Sequence, residues 1–387
     1  MQPSVMVEQV MDLPNLTREY TPLFARSVRD LLTPPEYLAI QRVYLVGDGD
    51  SFFAAHAAEL AFENIGGIAC EAMSAQRYLD YGAEWMFSPA PGATAVVAIS
   101  ASGRTPRVVQ AIERARHFGA LTIALTGTPD TPVTRAADRS LVVQIPDLGP
   151  APGIRSYHAN LMGLLLMAIH ISEIKSRYPQ GEADALRGEM ASLAGVIEAT
   201  IRATEGPARE AAEALKDAEI QVWAGSGPSY GTALFSAAKV VEAAGVFSTG
   251  QDLEEWWHVE RFAYPADVPT FVIAPPGRSH WRAVDLVDTA KALGRRVIVI
   301  AQEGDEAMTA QADFVFPVVG EVREEFSPLV YPVAADLFAS FLAETLGRKL
   351  LQTDNPQFLQ SVASYYAVRE DEGRRTKDGG RPTTAYG

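Results

Sequence analysis

The stretch Val96-Val97-Ala98-Ile99-Ser100-Ala101-Ser102-Gly103-Arg104-Thr105 decides the fold. Thr94–Ile99 is an apolar run rich in β-branched residues, the composition of a parallel strand buried on both faces. It stops at Ser100, and a helical pattern opens after Gly103, over residues 106–118. Ser100, Ser102, Gly103 and Thr105 therefore sit on a turn from the carboxyl end of a strand to the amino end of a helix. Open α/β sheets bind ligands at such turns. The free amides and positive dipole end of the helix favour an anion there. Three hydroxyls on a glycine-containing turn would satisfy phosphate oxygens without adding a full counter-charge. The alternative for this turn alone is that Ser and Thr cap the next helix, with Pro106 in its first turn.

Working outward, residues 42–46 read as a strand ending in Gly47-Asp48-Gly49-Asp50-Ser51, followed by a helix through Asn64. Downstream of the serine turn come the strand Leu121–Thr126, a short helix over 131–137 and a strand over 140–144. This alternation is that of a doubly wound parallel sheet. The order then repeats. Residues 221–224 form a strand ending in Gly225-Ser226-Gly227-Pro228-Ser229, and residues 271–274 and 297–301 parallel the two later strands. Gly119 matches Gly294, and Ala137-Asp138 matches Ala312-Asp313, both 175 positions apart. The expectation is α/β architecture with two homologous doubly wound parallel-sheet domains in tandem. The boundaries read as an arm over 1–40, a first domain over 41–178, a helical linker over 179–218, a second domain over 219–350 and a tail over 351–387. Short helices broken by Pro14, Pro22 and Pro34-Pro35 are expected in the arm, and the residues after Arg369 read as a disordered tail. The copies differ at the ligand turn. Where the first has Ser100-Ala101-Ser102-Gly103, the second has Pro275-Pro276-Gly277-Arg278, without a hydroxyl pair. The anion is expected in the first domain only.

Among 387 residues, 48% are hydrophobic, enough for a large core. A formal net charge of −15 argues against nucleic acid or an anionic membrane as partner. A single cysteine, Cys70, excludes an internal disulfide and fits a reducing compartment. No basic-then-apolar leader opens the chain, and the apolar run 161–171 is too short to span a bilayer. These features fit a cytoplasmic protein. No metal-ligand cluster is visible, and no cofactor is implied.

With the glycine–serine turn, the Ser-Ala-Ser-Gly turn and the duplication in view, the chain resembles the double sugar-isomerase (SIS) domain proteins, which are flavodoxin-like. These include the isomerase half of glucosamine-6-phosphate synthase and the related sugar-phosphate isomerases and fructosamine-6-phosphate deglycases. The resemblance covers roughly residues 8–368. It implies a phosphosugar substrate anchored by Ser51, Ser100, Ser102, Gly103 and Thr105, with Ala101 in place of the family's common Gln. Ser156, in Gly153-Ile154-Arg155-Ser156, stands at the sugar-contacting loop, where Arg155 departs from the usual residue. Lys239 and Glu242, three apart on one helix face, match the family's Lys-x-x-Glu, whose Glu moves the proton at C1/C2. His258, closing Glu255-Trp256-Trp257-His258, matches the Glu-x-x-His whose His assists ring opening, and the resemblance makes Glu255 a further sugar contact. A carboxylate for a carbon-bound proton and an imidazole for the ring oxygen suit those two tasks. Taken singly, Glu242 reads equally as a surface carboxylate, Lys239 as its salt-bridge partner, and His258 as a structural histidine.

The resemblance further implies a homodimer whose subunits complete each other's sites. Residues 161–171 and the Trp256-Trp257 neighbourhood are the expected contact surfaces. No glutaminase segment is visible ahead of the arm. Gln360 stands where the synthases carry an imine-forming Lys, so amide transfer from glutamine is disfavoured. The expected activity is isomerisation or deglycation of a hexose 6-phosphate bearing an amine. The alternatives are a phosphoglucose- or phosphomannose-type aldose–ketose isomerase and a non-catalytic sugar-phosphate sensor.

Overall fold

Each half of the chain winds five short strands into a parallel sheet in the computed structural model, which describes residues 4–82, 86 and 90–366. Two helices lead, α1 (Val5–Arg29) and α2 (Pro34–Ala39). The first sheet is built from β1 (Arg42–Gly47), α3 (Asp50–Leu60), β2 (Ala69–Ser74), α4 (Ala75–Arg77), β3 (Thr94–Ile99), α5 (Pro106–His117), β4 (Leu121–Thr126), α6 (Pro132–Ala136) and β5 (Arg139–Val142). Helices α7 (Arg155–Ile174) and α8 (Gln180–Ala214) follow. The second sheet comes from β6 (Ile220–Ala224), α9 (Pro228–Ala244), β7 (Phe247–Gln251), α10 (Leu253–His258), β8 (Thr270–Ala274), α11 (His280–Ala292), β9 (Val297–Gln302), α12 (Glu306–Thr309) and β10 (Phe314–Val318). Helices α13 (Pro332–Thr345) and α14 (Pro356–Tyr366) close the described chain.

The strand order is β2-β1-β3-β4-β5 in one sheet and β7-β6-β8-β9-β10 in the other, the same order twice. It is the flavodoxin-like winding, with its switch point between the first and third strands. The backbone carries the repeat in finer detail. Gly49 and Gly227, each at the N-cap of the first helix of its half, share φ/ψ of 56°/−131° and 57°/−131°. Few residues other than glycine adopt that region. Gly119 and Gly294, paired by the repeat, have φ of 82° and 85°.

Two expectations are corrected. The arm is one helix of 25 residues, not several short ones, although Pro14 and Pro22 lie inside it. Each proline removes one backbone donor. The helix nevertheless persists because Met6, Val10, Leu13, Leu16, Phe24 and Val28 bury one face in the core. The run 161–171 is not a contact surface either. It lies inside α7, and every one of its residues is buried within the chain, against α1, α3 and α8. Glu324–Thr345 has the length and hydropathy to cross a bilayer, and its apolar window is wholly buried in the fold. The residues after Arg369 lie outside the described residues.

What positions the site is the crossing of α3, from the first sheet, on α9, from the second. Gly231 makes the crossing possible. A Cβ there would come within 2.4 Å of Ala57 N and 2.8 Å of Phe53 O. These are backbone atoms, which cannot swing aside as a side chain does. Gly231→Ala should therefore destabilise the chain by about 1–3 kcal/mol through overpacking. The loss would appear as a lower urea midpoint with unchanged slope; a midpoint equal to wild type would refute the contact.

Candidate active site

At the carboxyl end of β1, Gly47 lets the chain turn back on itself. A Cβ there would meet Ser51 Cβ at 2.7 Å and the Ile99 carbonyl at 3.2 Å. This closeness sets Ser51, buried at the start of α3, beside the end of β3. Across the switch point the Ser100 amide donates to Leu125 O at 2.9 Å, and the Gly103 amide to Ser100 O at 3.0 Å. Gly103 has φ +65°, and a Cβ on it would strike Thr131 Oγ1 at 2.2 Å. A glycine is thus required at this position on two counts. Thr105 occupies the N-cap of α5 but makes no side-chain cap bond. Its hydroxyl pairs instead with Ser100 Oγ at 2.9 Å. Ser102 is exposed, and its Oγ accepts from the Arg104 amide at 3.3 Å. The hydroxyls thus bond to one another and to the turn rather than to the helix amides, a departure from simple capping.

The corresponding turn of the second sheet already holds an anion of its own. The Arg278 amide donates to Glu324 Oε1 at 3.2 Å, and a Cβ on Gly277 would meet that carboxylate at 2.6 Å. A carboxylate of the chain therefore occupies the turn Pro275-Pro276-Gly277-Arg278. Beside it His280 Nε2 and Asp305 Oδ2 pair at 2.6 Å.

Lys239, on α9, has no side-chain exposure. Its Nζ donates to Asp50 Oδ2 at 2.8 Å and to Glu242 Oε2. Burial works against the charged lysine, but the two carboxylates outweigh it and hold its pKa above the ordinary value. Burial also raises the Glu242 pKa, helped by the Asp50 carboxylate and opposed by Lys239. With 34% of its side chain exposed, Glu242 remains open to a ligand. Behind them on α13 lies Asp336, 1% exposed, near enough to feel Lys239, Asp50 and Glu242; burial pushes its pKa well up. Ser156 joins from the α7 start. A Cβ on Gly153 would meet Asp50 Oδ2 at 2.6 Å and Ser156 Oγ at 3.0 Å, so both flank that glycine.

The structure thus brings together Ser51, Lys239, Glu242 and Ser156 through Asp50, which sequence reasoning did not single out. Its signal was adjacency to Ser51. Asp336 was also missed, although a lone acid in the apolar run Val333-Ala334-Ala335-Asp336-Leu337-Phe338 marks a buried charge. Arg155 is engaged within the chain, buried against Asp12 at 2.7 Å and bonded to the Pro146 carbonyl. His258 and Glu255 are not in the cluster. His258 is 66% exposed at the end of α10, 3.4 Å from Glu254, and Glu255 is exposed. Among the described residues, no hydrogen bond or ion pair joins His258 to Lys239, Glu242 or the serine turn. Trp256 is core, and Trp257 lies under the Arg282 guanidinium at 4.3 Å. Among the described residues there is no group of three or more His, Cys, Asp or Glu placed to hold a metal.

Comparison with known proteins gives this geometry its relatives. The SIS domain matches residues 37–170, the first sheet and most of α7. The glutamine–fructose-6-phosphate aminotransferase (isomerizing) of Streptomyces coelicolor is 28% identical over 337 residues, covering 85% of this chain and 53% of its own length. That of Thermococcus kodakarensis is 29% identical over 255 residues, covering 66% and 42%. The chain spans about half the length of the curated relatives it matches. Among solved structures, the C-terminal domain of glucosamine-fructose-6-phosphate aminotransferase from Francisella tularensis superposes with TM-score 0.76 at 15% identity, over 91% of this chain and 98% of that one. Glucosamine-6-phosphate deaminase from Thermotoga maritima does so with TM-score 0.70 at 18% identity, over 89% and 96%. Residues 37–170 thus carry a SIS domain, and the chain as a whole is homologous to the isomerase domain of the glutamine–fructose-6-phosphate aminotransferases and shares its two-sheet fold with the solved structures above.

Proposed function

We propose that the chain is an enzyme that opens the ring of a hexose 6-phosphate and moves a proton between C1 and C2, as an isomerase or deglycase. The observation that carries this reading is the buried Lys239, bound to a partly exposed Glu242 and to the residue preceding Ser51. The phosphate binds at Ser51, Ser100, Ser102, Gly103 and Thr105. The anomeric end lies toward Glu242, with Ser156 along the sugar. Glu242 takes the carbon-bound proton next to the open carbonyl and returns it to the neighbouring carbon. A carboxylate of raised pKa holds an abstracted proton better than an ordinary one. Lys239 stays protonated and steadies the carboxylate. An amine at C1 or C2 would distinguish deglycase or deaminase chemistry from plain isomerisation.

His258 opens the ring, and its exposure supports a composite site in a homodimer. Val259, Phe262 and Tyr264, exposed by 56%, 64% and 86%, follow it directly and form an apolar surface suited to a second copy of the chain.

Substitution, pH and subunit exchange each test the reading. Glu242→Gln should lower kcat by about 10²–10⁴ with little change in KM. It should also abolish solvent-deuterium incorporation at C1 or C2 of recovered sugar phosphate. In the wild type, the acid limb of the kcat profile should rise with pH through a value above the ordinary carboxylate range, because the base works only when ionised. Exchange at the wild-type rate in Glu242→Gln would sink the mechanism. Ser102→Ala should raise KM for phosphorylated substrates by roughly 10- to 100-fold, the worth of a hydrogen bond to a charged group; an unchanged KM removes Ser102 from the anion site. Finally, inactive Glu242→Gln and His258→Asn proteins, mixed and reassociated, should regain roughly a quarter of wild-type activity, since half the dimers would hold one intact site. No recovery from a dimer shown to exchange subunits would place His258 outside the partner's site.

A further inference from the structure

We propose that Asp50 is the specificity residue of this site, reading an ammonium group on the carbon next to the carbonyl carbon of a hexose phosphate; the proposal rests on the sugar-phosphate reading above. Asp50 stands between Gly49 and Ser51, so its backbone ties it to the proposed phosphate end. Its side chain reaches the other end, where Oδ2 accepts from Lys239 at 2.8 Å and Lys239 in turn holds Glu242. No other described residue bonds to that lysine ammonium from the first half of the chain.

The remaining oxygen is the informative one. Asp50 Oδ1 is buried and has no hydrogen-bond partner. Asp336 Oδ1, on a side chain 1% exposed, and the buried Tyr157 hydroxyl are likewise unpartnered. Tyr157 is close enough to feel the charges of both aspartates. Buried polar atoms are almost always paired. Three buried polar atoms without partners, on side chains whose charges act on one another, leave hydrogen-bonding capacity that a ligand reaching Asp50 would complete.

Charge selects the ligand. Asp50 and Glu242 face a single Lys239, which leaves one negative charge in excess when both are ionised. Asp336, whose burial favours its neutral form, adds hydrogen-bonding capacity without cancelling that excess. A sugar hydroxyl could satisfy Asp50 Oδ1 but would leave the charge, whereas an ammonium answers both. Gly153 strengthens the discrimination. A Cβ on Gly153 would lie 2.6 Å from Asp50 Oδ2, so only a glycine lets this loop pack against the carboxylate and fix it. A desolvated, fixed acceptor separates charged from neutral ligands far better than one in water.

The test is titration calorimetry of the full chain with three reduced open-chain sugars that have no carbonyl and cannot turn over. These are glucitol 6-phosphate and its 1-amino-1-deoxy and 2-amino-2-deoxy counterparts. Wild type should bind one of the amines at least about tenfold more tightly than glucitol 6-phosphate. Asp50→Asn should lose most of that margin, with the amine weakened about tenfold more than the hydroxyl compound. Asp50→Ser serves as a second variant should the first not fold, with the same expected loss. Equal wild-type affinities for all three compounds would overturn the proposal without any variant, as would a margin that survives in either folded variant. Equal affinities alongside active deuterium exchange leave the isomerase reading standing and remove only the amine. Failure of all three to bind removes both.

Discussion

A lysine ammonium shut off from water, and held by carboxylates from both halves of the chain, is the constraint on which the rest of the structure depends. Removing one partner of a buried ion pair leaves an uncompensated charge, at a cost of about 3–5 kcal/mol. Lys239 therefore fixes how α3 and α9 must meet. The Gly231 contact is the steric counterpart of that electrostatic one: the backbones approach closely enough for Asp50 to reach across. Packing and charge specify the same crossing from opposite directions, and the Asp50–Lys239–Glu242 cluster is their joint product.

The duplication made the fold legible. Apolar strands followed by glycine turns recur in order, and the structure repeats the conformation of Gly49 at Gly227 to within a few degrees. What stayed hidden lacked that pattern. The edge strands β2 and β7, with sequences Ala-Cys-Glu-Ala-Met-Ser and Phe-Ser-Thr-Gly-Gln, are half-exposed and carry small or polar residues. They are strands because a neighbour pairs with them, not because their composition demands it. The long first helix was obscured by two prolines, whose local cost its buried face outweighs. In the site, Lys239 and Glu242 were marked by their likeness to the family's Lys-x-x-Glu, a local pattern along one helix. Asp50 and Asp336 could not, since they reach the lysine from positions 189 and 97 residues away. His258 shows the converse: its likeness to the family's Glu-x-x-His suggested a site residue, and the single chain leaves it on the surface.

The two halves show how a repeated fold acquires different roles. Both have the same turn in the same place, but Glu324 lies against the second one and satisfies an amide there from within. The first turn has hydroxyls that bond only with one another and with the local backbone. One internal carboxylate is enough to convert a potential anion site into a structural joint.

The burial of Lys239 has a chemical consequence of its own. Reducing sugars glycate free amines, and a pocket for open-chain sugars concentrates the aldehyde that does so. An amine attacks a carbonyl only when unprotonated. Lys239 is kept as an ammonium by its carboxylates and has no exposed surface. Under the proposed function, a sugar carbonyl beside Glu242 would therefore meet a fixed positive charge rather than a nucleophile, and that charge would be spared from becoming an adduct of the ligand.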